Sequence, residues 1–588
     1  MHVPLLILLT TICISAGGYN GYDSNFLYEG PESVGDGIEA LLERIFNTTH
    51  VLSFHERLAM IEDKIRRTLE LTPRMIVSLN DRLAKLRPIR HVRVNEMGDS
   101  ISEINEKSRI GDYLFQGDIV LTDDQIEDIK EDVEEETSGM SRRKRQAYKD
   151  WRYPQTIWSK GVNYYFDNSA SDRVRSVFRR AAKEWESGTC INIKENPRAE
   201  DRIRVFPEDG CWSFVGRRGR EQDLSLGRGC ETIGTAAHEL GHALGMFHTM
   251  SRHDRDKFIT LNTRNIRRDW LDQFAKQTPH TNENYGITYD YGSIMHYGGT
   301  SASINGMPTM VPFDTTHQET LGSPFISFYD LLMMNTHYKC LDKCKKVATP
   351  CENGGIPHPR NCSRCLCPGG YGGRLCNERP SGCGAVLTAT PQFQELKSTI
   401  GNHYMRESED FEKCNYWIEA PKGTRVEVRI ERISGRYAVD GCPYFGVEIK
   451  SQRDQRATGY RFCAREDAGV TLMSYSNHVP VITYSREGQT DIKLNFRYVS
   501  NGRPGPQPQS TTAAPVTTTR PQPRRTTYRP RPVVFTSKPF PEIDHIGGIF
   551  CIDNPGCTML MHMGFCSLPQ FSVEMRKAIC PRTCGFCR

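Results

Sequence analysis

Apolar residues change their spacing several times along this chain, and each change predicts a different element. Leu5 to Ile14 is an apolar run of signal-peptide length followed by Ser15, Ala16, Gly17 and Gly18, the pattern of a cleavable signal peptide over residues 1–18. Leu58, Ile61, Ile65 and Leu69 recur at helical spacing, and Asp123 to Glu136 is densely acidic. Trp158 to Phe166 suits a strand entered from a turn at Gly161; Val174, Val177, Phe178, Ala181, Ala182 and Trp185 then mark one face of a helix. Apolar runs at Ile203 to Phe206, Trp212 to Val215 and Leu224 to Leu226 read as strands, and a second helix is expected from Thr232. Strands on one side of a long helix predict an α+β domain rather than a doubly wound sheet. Further on, alternation such as Val426-Glu-Val-Arg-Ile430 reads as an all-β sandwich. No later stretch approaches the ~18 apolar residues of a membrane span, so a released protein is expected.

Composition sharpens this into modules. At 588 residues the chain exceeds one domain, and a net charge of +5 with 25% charged residues is too small to argue for nucleic acid. The informative count is 21 cysteines, which points to an oxidising, extracellular compartment. Cys13 leaves with the signal, so an even number remains. Residues 30 to 145 hold no cysteine, are acidic and end in Arg142-Arg143-Lys144-Arg145, a run that furin-like convertases cut. That segment reads as a propeptide, with Gln146 as the new N-terminus after cleavage at Arg145. Residues 501 to 540 are rich in Pro, Thr and Arg without an acidic residue and read as an unfolded linker. Asn47-Thr-Thr49 and Asn361-Cys-Ser363 are glycosylation acceptor patterns at Asn47 and Asn361.

The candidate chemistry lies in His238-Glu-Leu-Gly-His242-Ala-Leu-Gly245-Met-Phe-His248. On a helix, His238 and His242 stand one turn apart on the same face, where both imidazoles reach one Zn²⁺, with Glu239 beside them. Gly245 lets the backbone turn so that His248 returns as a third ligand. Three neutral imidazoles leave a position open, as a catalytic zinc requires. Zinc there lowers the pKa of a coordinated water from 15.7 toward ~7 and polarises a carbonyl, and Glu239 is placed to move the proton to the leaving amine.

These residues, with Arg252-His-Asp254-Arg255-Asp256 and Tyr291-Gly-Ser-Ile-Met295-His-Tyr297, resemble the astacin zinc endopeptidases among the metzincins. The resemblance implies a two-lobed fold, Met295 in a turn beneath the metal, and Tyr297 as a tyrosine that stabilises the oxyanion. It also implies that Phe115-Gln-Gly117-Asp118 is an inhibitory motif, with the Asp118 carboxylate in the open zinc position. Implied disulfides are Cys190 with Cys340 and Cys211 with Cys230. Two departures stand out. Thr249 replaces the glutamate that usually follows the third histidine and meets the mature N-terminus, and Leu321-Gly-Ser-Pro324 lacks the basic side chain of relatives that cut before acidic residues.

Three cysteine packets follow. Cys344 to Cys376, with Asn353-Gly-Gly355, resembles an epidermal-growth-factor-like module, implying pairs Cys344 with Cys362, Cys351 with Cys365, and Cys367 with Cys376. Cys383, Cys414, Cys442 and Cys463 resemble a CUB sandwich, implying Cys383 with Cys414 and Cys442 with Cys463. Neither module carries the carboxylates of its calcium-binding versions, so no calcium is expected in the CUB or EGF-like module. The last packet resembles a ShK-toxin-like module, implying Cys551 with Cys587, Cys557 with Cys580, and Cys566 with Cys584. Glu574-Met575 stands where channel blockers carry Lys-Tyr, which argues against a toxin role.

The expected map is a signal peptide at 1–18, propeptide 19–145, astacin protease 146–341, EGF-like module 342–377, CUB 383–499, linker 500–546 and ShK-like module 551–587. The expected fold class is multidomain: an α+β two-lobed metzincin, a disulfide-rich EGF-like module, an all-β CUB sandwich and a small helical ShK-like module. The expected function is that of a secreted zinc endopeptidase zymogen. Its partners are an activating furin-like convertase and extracellular matrix or cuticle proteins, cut in collagen processing, moulting or hatching. A matrix-binding protein with a relic protease scaffold competes with this, but the intact His238, Glu239, His242, His248 and Tyr297 argue against it.

Overall fold

The computed structural model describes residues 63–138, 147–149, 151–278, 282–347, 349–404 and 407–500, together with 566, 576 and 582–584. The expected signal peptide, Leu58, Ile61, Asn47, the basic run through Arg145, Gln146, the linker and Cys551, Cys557, Cys580 and Cys587 lie outside the described residues. The chain divides into two units, Met1–Gly505 and Pro506–Arg588. In the second, Cys566 pairs with Cys584.

The N-terminal segment contributes helix α1 (Pro73–Leu83), helix α2 (Ile101–Lys107), strand β1 (Ile119–Val120) and helix α3 (Asp123–Ser138). Local chemistry sets the starts: Thr72 caps α1 ahead of Pro73, and Ser100 and Glu103 form a reciprocal capping box on α2. Ile65 and Leu69 are buried, as is the Ile126, Ile129 and Val133 face of α3.

Next come β2 (Ala147–Tyr148), β3 (Val162–Phe166), helix α4 (Asp172–Gly188), β4 (Ile193–Glu195), β5 (Arg202–Phe206), β6 (Cys211–Phe214), β7 (Glu221–Leu226) and helix α5 (Ile233–Ala243). Shorter pieces follow as β8 (Ile259–Leu261), β9 (Asn282–Glu283), β10 (Met310–Pro312) and helix α6 (Phe328–His337). The main sheet runs β1-β6-β7-β5-β3-β4, with β6 antiparallel to β7 and the other pairs parallel. Its edge strand β6 is paired by β1 of the N-terminal segment, Ile119 opposite Ser213 and Val120 opposite Phe214.

The predicted face of α4 is buried throughout, and it packs on α5. Trp185 sits at the centre of that contact with no exposed surface, its indole N–H donating to the Ala237 carbonyl at 2.9 Å. Truncation to alanine removes packing and a buried hydrogen bond together. We expect Trp185→Ala to cost about 3–5 kcal/mol, read as a lowered denaturant midpoint; an unchanged midpoint would contradict this packing. Cys190–Cys340 ties the end of α4 to the segment after α6, and Cys211–Cys230 ties β6 to the approach to α5.

A cysteine-rich hairpin of β11 (Ile356–His358) and β12 (Asn361–Leu366) carries the pairs Cys344–Cys362, Cys351–Cys365 and Cys367–Cys376. Arg360 fastens it to the main domain through the carbonyls of Glu186 and Ile191. The CUB-like sandwich follows as β13 (Val386–Thr388), β14 (Gln394–Gly401), β15 (Glu412–Glu419), β16 (Thr424–Ile433), β17 (Phe445–Ile449), β18 (Tyr460–Phe462), β19 (Thr471–Met473), β20 (His478–Ser485) and β21 (Gln489–Ser500). Its sheets are β13-β15-β20-β17-β18 and β14-β21-β16-β19, with Cys383–Cys414 and Cys442–Cys463 as staples.

The sandwich is not a pendant module. Gly441 approaches Gly322 so closely that a Cβ on it would lie 2.3 Å from the Gly322 carbonyl oxygen, and a Cβ on Gly322 would lie 2.9 Å from Gly298. Thr458 donates from its amide to buried Asp290, and Arg461 reaches the Ser323 hydroxyl at 2.5 Å. The loop Leu321-Gly-Ser-Pro324, which has no basic residue of its own, is thus met by an arginine from β18.

Candidate metal centre and active site

Helix α5 starts where Thr232 accepts the Thr235 amide, and it stops in a hydrogen-bonded C-terminal motif. The Gly245 amide donates to the His242 carbonyl and the Met246 amide to that of Gly241, closing the helix with Gly245 at a φ of +108°. A left-handed residue is needed there, and the turn carries the chain back so that His248 faces the helix. Gly241 has a second reason to be glycine: a Cβ would sit 2.6 Å from the Met295 sulfur.

The three imidazoles converge. The Nε2 of His238 lies 3.1 Å from that of His242 and 3.2 Å from that of His248. Each Nδ1 faces an oxygen acceptor: the Ile294 carbonyl at 2.6 Å for His238, the Met246 carbonyl at 2.8 Å for His242, and Gln116 Oε1 at 2.9 Å for His248. An Nδ1 opposite an oxygen acceptor must hold the proton, so each Nε2 presents a lone pair inward. Asp118 adds its carboxylate, 3.1 Å from His238 Nε2, 3.2 Å from His248 Nε2 and 3.4 Å from His242 Nε2. Three lone pairs and a carboxylate pointed at one another in a buried site repel unless a cation lies between them, and the four groups can hold one ion. The donor set fits zinc.

Glu239 stands beside this cluster, fully buried, with neither carboxylate oxygen hydrogen-bonded. Burial pushes its carboxyl well above the usual range, and the nearby Asp118 charge adds to the push. Burial would raise Asp118 as well; the cation that the three inward lone pairs call for is what keeps its carboxylate charged. Burial lowers His242, and lowers His248 to about 3. Tyr297 stacks on this group, its ring 4.5 Å from that of His248 and 6.0 Å from that of His238. Its hydroxyl donates to the Gln116 carbonyl at 3.1 Å, and burial, with Asp118 close by, raises the phenol well above its ordinary value.

Two supports of this geometry carried no signal in the sequence. Asn105, fully buried on α2, donates to the Gly117 and Cys211 carbonyls at 2.8 and 2.7 Å and accepts the Cys211 amide at 2.7 Å, fixing the Asp118 loop onto β6. Asp330, capping α6, accepts from the Ser293 hydroxyl at 2.6 Å and the Ile294 amide at 2.9 Å, which holds the turn carrying Met295. Thr249 joins the same chain: its hydroxyl donates to Ser293 at 2.9 Å. Isolated polar residues such as these have no periodicity to mark them. Gln116 lies inside the noted Phe115–Asp118 motif, but its grip on His248 required the fold. Asn361 opens β12 and is exposed, its amide oxygen accepting from Ser363.

A helix with two histidines one turn apart, a third returned by a glycine turn and a buried glutamate define a zinc metalloproteinase centre. The family model described as Astacin, a peptidase family, matches residues 150–339, and that described as ShK domain-like matches 550–587. Zinc metalloproteinase nas-31 of Caenorhabditis elegans is 49% identical over 410 residues, 69% of this chain and 67% of the relative. From the same organism, nas-32 is 39% identical over 70% of this chain and 63% of its own length, and nas-29 is 37% identical over 68% and 78%. Among solved structures, high choriolytic enzyme 1, a hatching enzyme zinc-protease from Oryzias latipes (medaka), is 32% identical, covering 33% of this chain and 99% of its own, at a TM-score of 0.31. The chain belongs to the astacin family of zinc metalloproteinases.

Proposed function

We propose that this chain is a secreted zymogen whose mature form cuts peptide bonds in proteins of the extracellular matrix or cuticle. The observation that carries the chemistry is the inward convergence of three Nε2 lone pairs beside a buried, unpartnered Glu239. His238, His242 and His248 hold the zinc, which when bound polarises the scissile carbonyl and acidifies a water. Glu239 accepts the proton of the attacking water at a carboxylate oxygen and returns it to the leaving amine. Tyr297, released from the Gln116 carbonyl, is the donor for the developing oxyanion.

Latency rests on the N-terminal segment. Asp118 fills the fourth position, and β1 occupies the open edge of β6, where an extended substrate adds its backbone hydrogen bonds. Cleavage between Arg145 and Gln146 by a furin-like convertase starts its removal. The modular boundaries set out above, with the cysteine-rich hairpin as an EGF-like spacer, belong to the same proposal. Thr249 is committed to Ser293, so the mature N-terminus takes its anchor elsewhere.

Metal removal tests this directly. The convertase-treated protein is incubated with a matrix extract before and after stripping by a chelator, and new N-termini are sequenced. Zinc-dependent new termini, restored when zinc is returned, are expected; termini unchanged in a chain verified to be free of metal would reject the reading.

A further inference from the structure

The N-terminal segment makes a second set of contacts, away from Asp118. Residues 87–93 run along the seam between the protease and the CUB-like sandwich, the Val92 amide donating to the Ala438 carbonyl at 2.9 Å. Two cations of this segment enter the seam. Arg87 forms an ion pair at 2.7 Å with Asp467, whose side chain has no exposed surface, and its guanidinium lies over the Phe462 ring. His91 meets Glu319 at 2.9 Å, and that glutamate is 2% exposed. Asp440 completes the group: one of its carboxylate oxygens and polar atoms of His91 and Glu319 lie within 4.8 Å of one another, and its Oδ1 is buried without a hydrogen bond. The other oxygen of Asp440 accepts from the Thr300 amide and hydroxyl, both at 2.8 Å, three residues after Tyr297.

The electrostatics of the seam hold His91 as a cation. Burial raises Asp440 and raises Asp467 to about 6. Burial would lower His91, but the hydrogen bond and charge of Glu319, with Asp440 and Asp467 behind it, raise it to about 9. The seam is continuous with the centre: one cavity of about 1130 Å³ is lined by His91, Glu319 and Asp440 and also by His238 and Tyr297.

We propose that Glu319 of the protease and Asp440 and Asp467 of the sandwich form a substrate subsite for a basic peptide segment, which Arg87 and His91 fill until the N-terminal segment leaves. This rests on the reading of that segment as a propeptide. Its removal takes away the cations that face the carboxylates of Glu319 and Asp467, and an incoming arginine or lysine restores those pairs. The ligand is a stretch of polypeptide with one cation near Phe462 and a second four residues on. A protease that reads such a stretch chooses substrates partly through its CUB-like domain.

The test uses the full chain carrying Glu239→Gln, so that bound peptide is not cut. It is cleaved after residue 145 by the convertase or, if that enzyme does not act there, at an inserted specific site, and departure of the segment is checked by mass. A fluorescent peptide of residues 83–93 is expected to bind the cleaved chain and not the uncleaved one. Replacing both Arg87 and His91 of the peptide by glutamine should weaken binding at least about tenfold, and Asp440→Asn with Asp467→Asn in the chain should do the same. The altered peptide leaves the protein fold untouched. Equal affinity of the two peptides, or a cleaved chain that keeps its segment, overturns the subsite. With Glu239 intact, absence of any proteolysis alongside charge-dependent binding would strike the protease reading alone.

Discussion

Replacing Glu239 by glutamine is expected to lower kcat/KM of the activated chain by about 10²–10⁴-fold while leaving one zinc bound per chain. Glutamine keeps the shape and buried position of the side chain but has no oxygen that can accept and return a proton. The histidine ligands keep their Nδ1 acceptors, at Ile294, Met246 and Gln116 in the uncleaved chain, so metal affinity is set by groups the substitution does not touch. Glu239 has no hydrogen bond to lose, and burial already disfavours its charge, so the folded state is not expected to weaken. Peptide cleavage kinetics, metal analysis and a melting curve read the three quantities. Near-normal turnover with zinc in place would remove Glu239 from the mechanism.

The second large effect concerns Asp118. Its side chain is fully buried and touches all three ligand imidazoles, where it is the counter-charge of the metal they hold. Breaking a buried charge pair of this kind costs about 3–5 kcal/mol. At tenfold per 1.4 kcal/mol, the fraction of uncleaved chain with an open centre rises at least about a hundredfold. Asp118→Ala in a chain that the convertase cannot cut should therefore digest a peptide substrate that the unsubstituted uncleaved chain leaves intact. The remaining grip of Asn105 and the β1–β6 pairing predicts activity still below that of the fully processed enzyme. An Asp118→Ala precursor as inert as its parent would sink the switch.

Much of this was legible from short stretches. Six of the seven buried residues of α4 declared themselves by helical spacing, because a long helix repeats its buried face every turn. His238, Glu239, His242 and Gly245 were legible for the same reason: they belong to one helix and its end. The change in cysteine spacing marked the modules, and the packet from Cys344 to Cys376 marked one too small to fold without staples. The α+β class and the sandwich both followed from changes in period.

Other features had no local signature. The motif around Asp118 was legible, but its hold on the site depends on Asn105 and on a strand added in parallel to the sheet edge, contacts between segments far apart in the chain. Asp330 secures the Met295 turn through hydrogen bonds from Ser293 and Ile294, and the Thr249 hydroxyl adds one to Ser293; such contacts leave no periodic trace. The docking of the sandwich on the protease rests on close backbone approach among Gly298, Gly322 and Gly441, and a lone glycine gives no indication of which distant glycine it meets.

What the sequence determined by itself is the set of elements and the chemistry one helix can carry, because hydrophobic period, capping and ligand spacing act over a turn or two. The tertiary structure alone decided how the Asp118 loop is held against the histidines and which acids gather around Arg87 and His91. Those are encounters of buried charges from separate domains, and only the folded packing brings them within reach of each other.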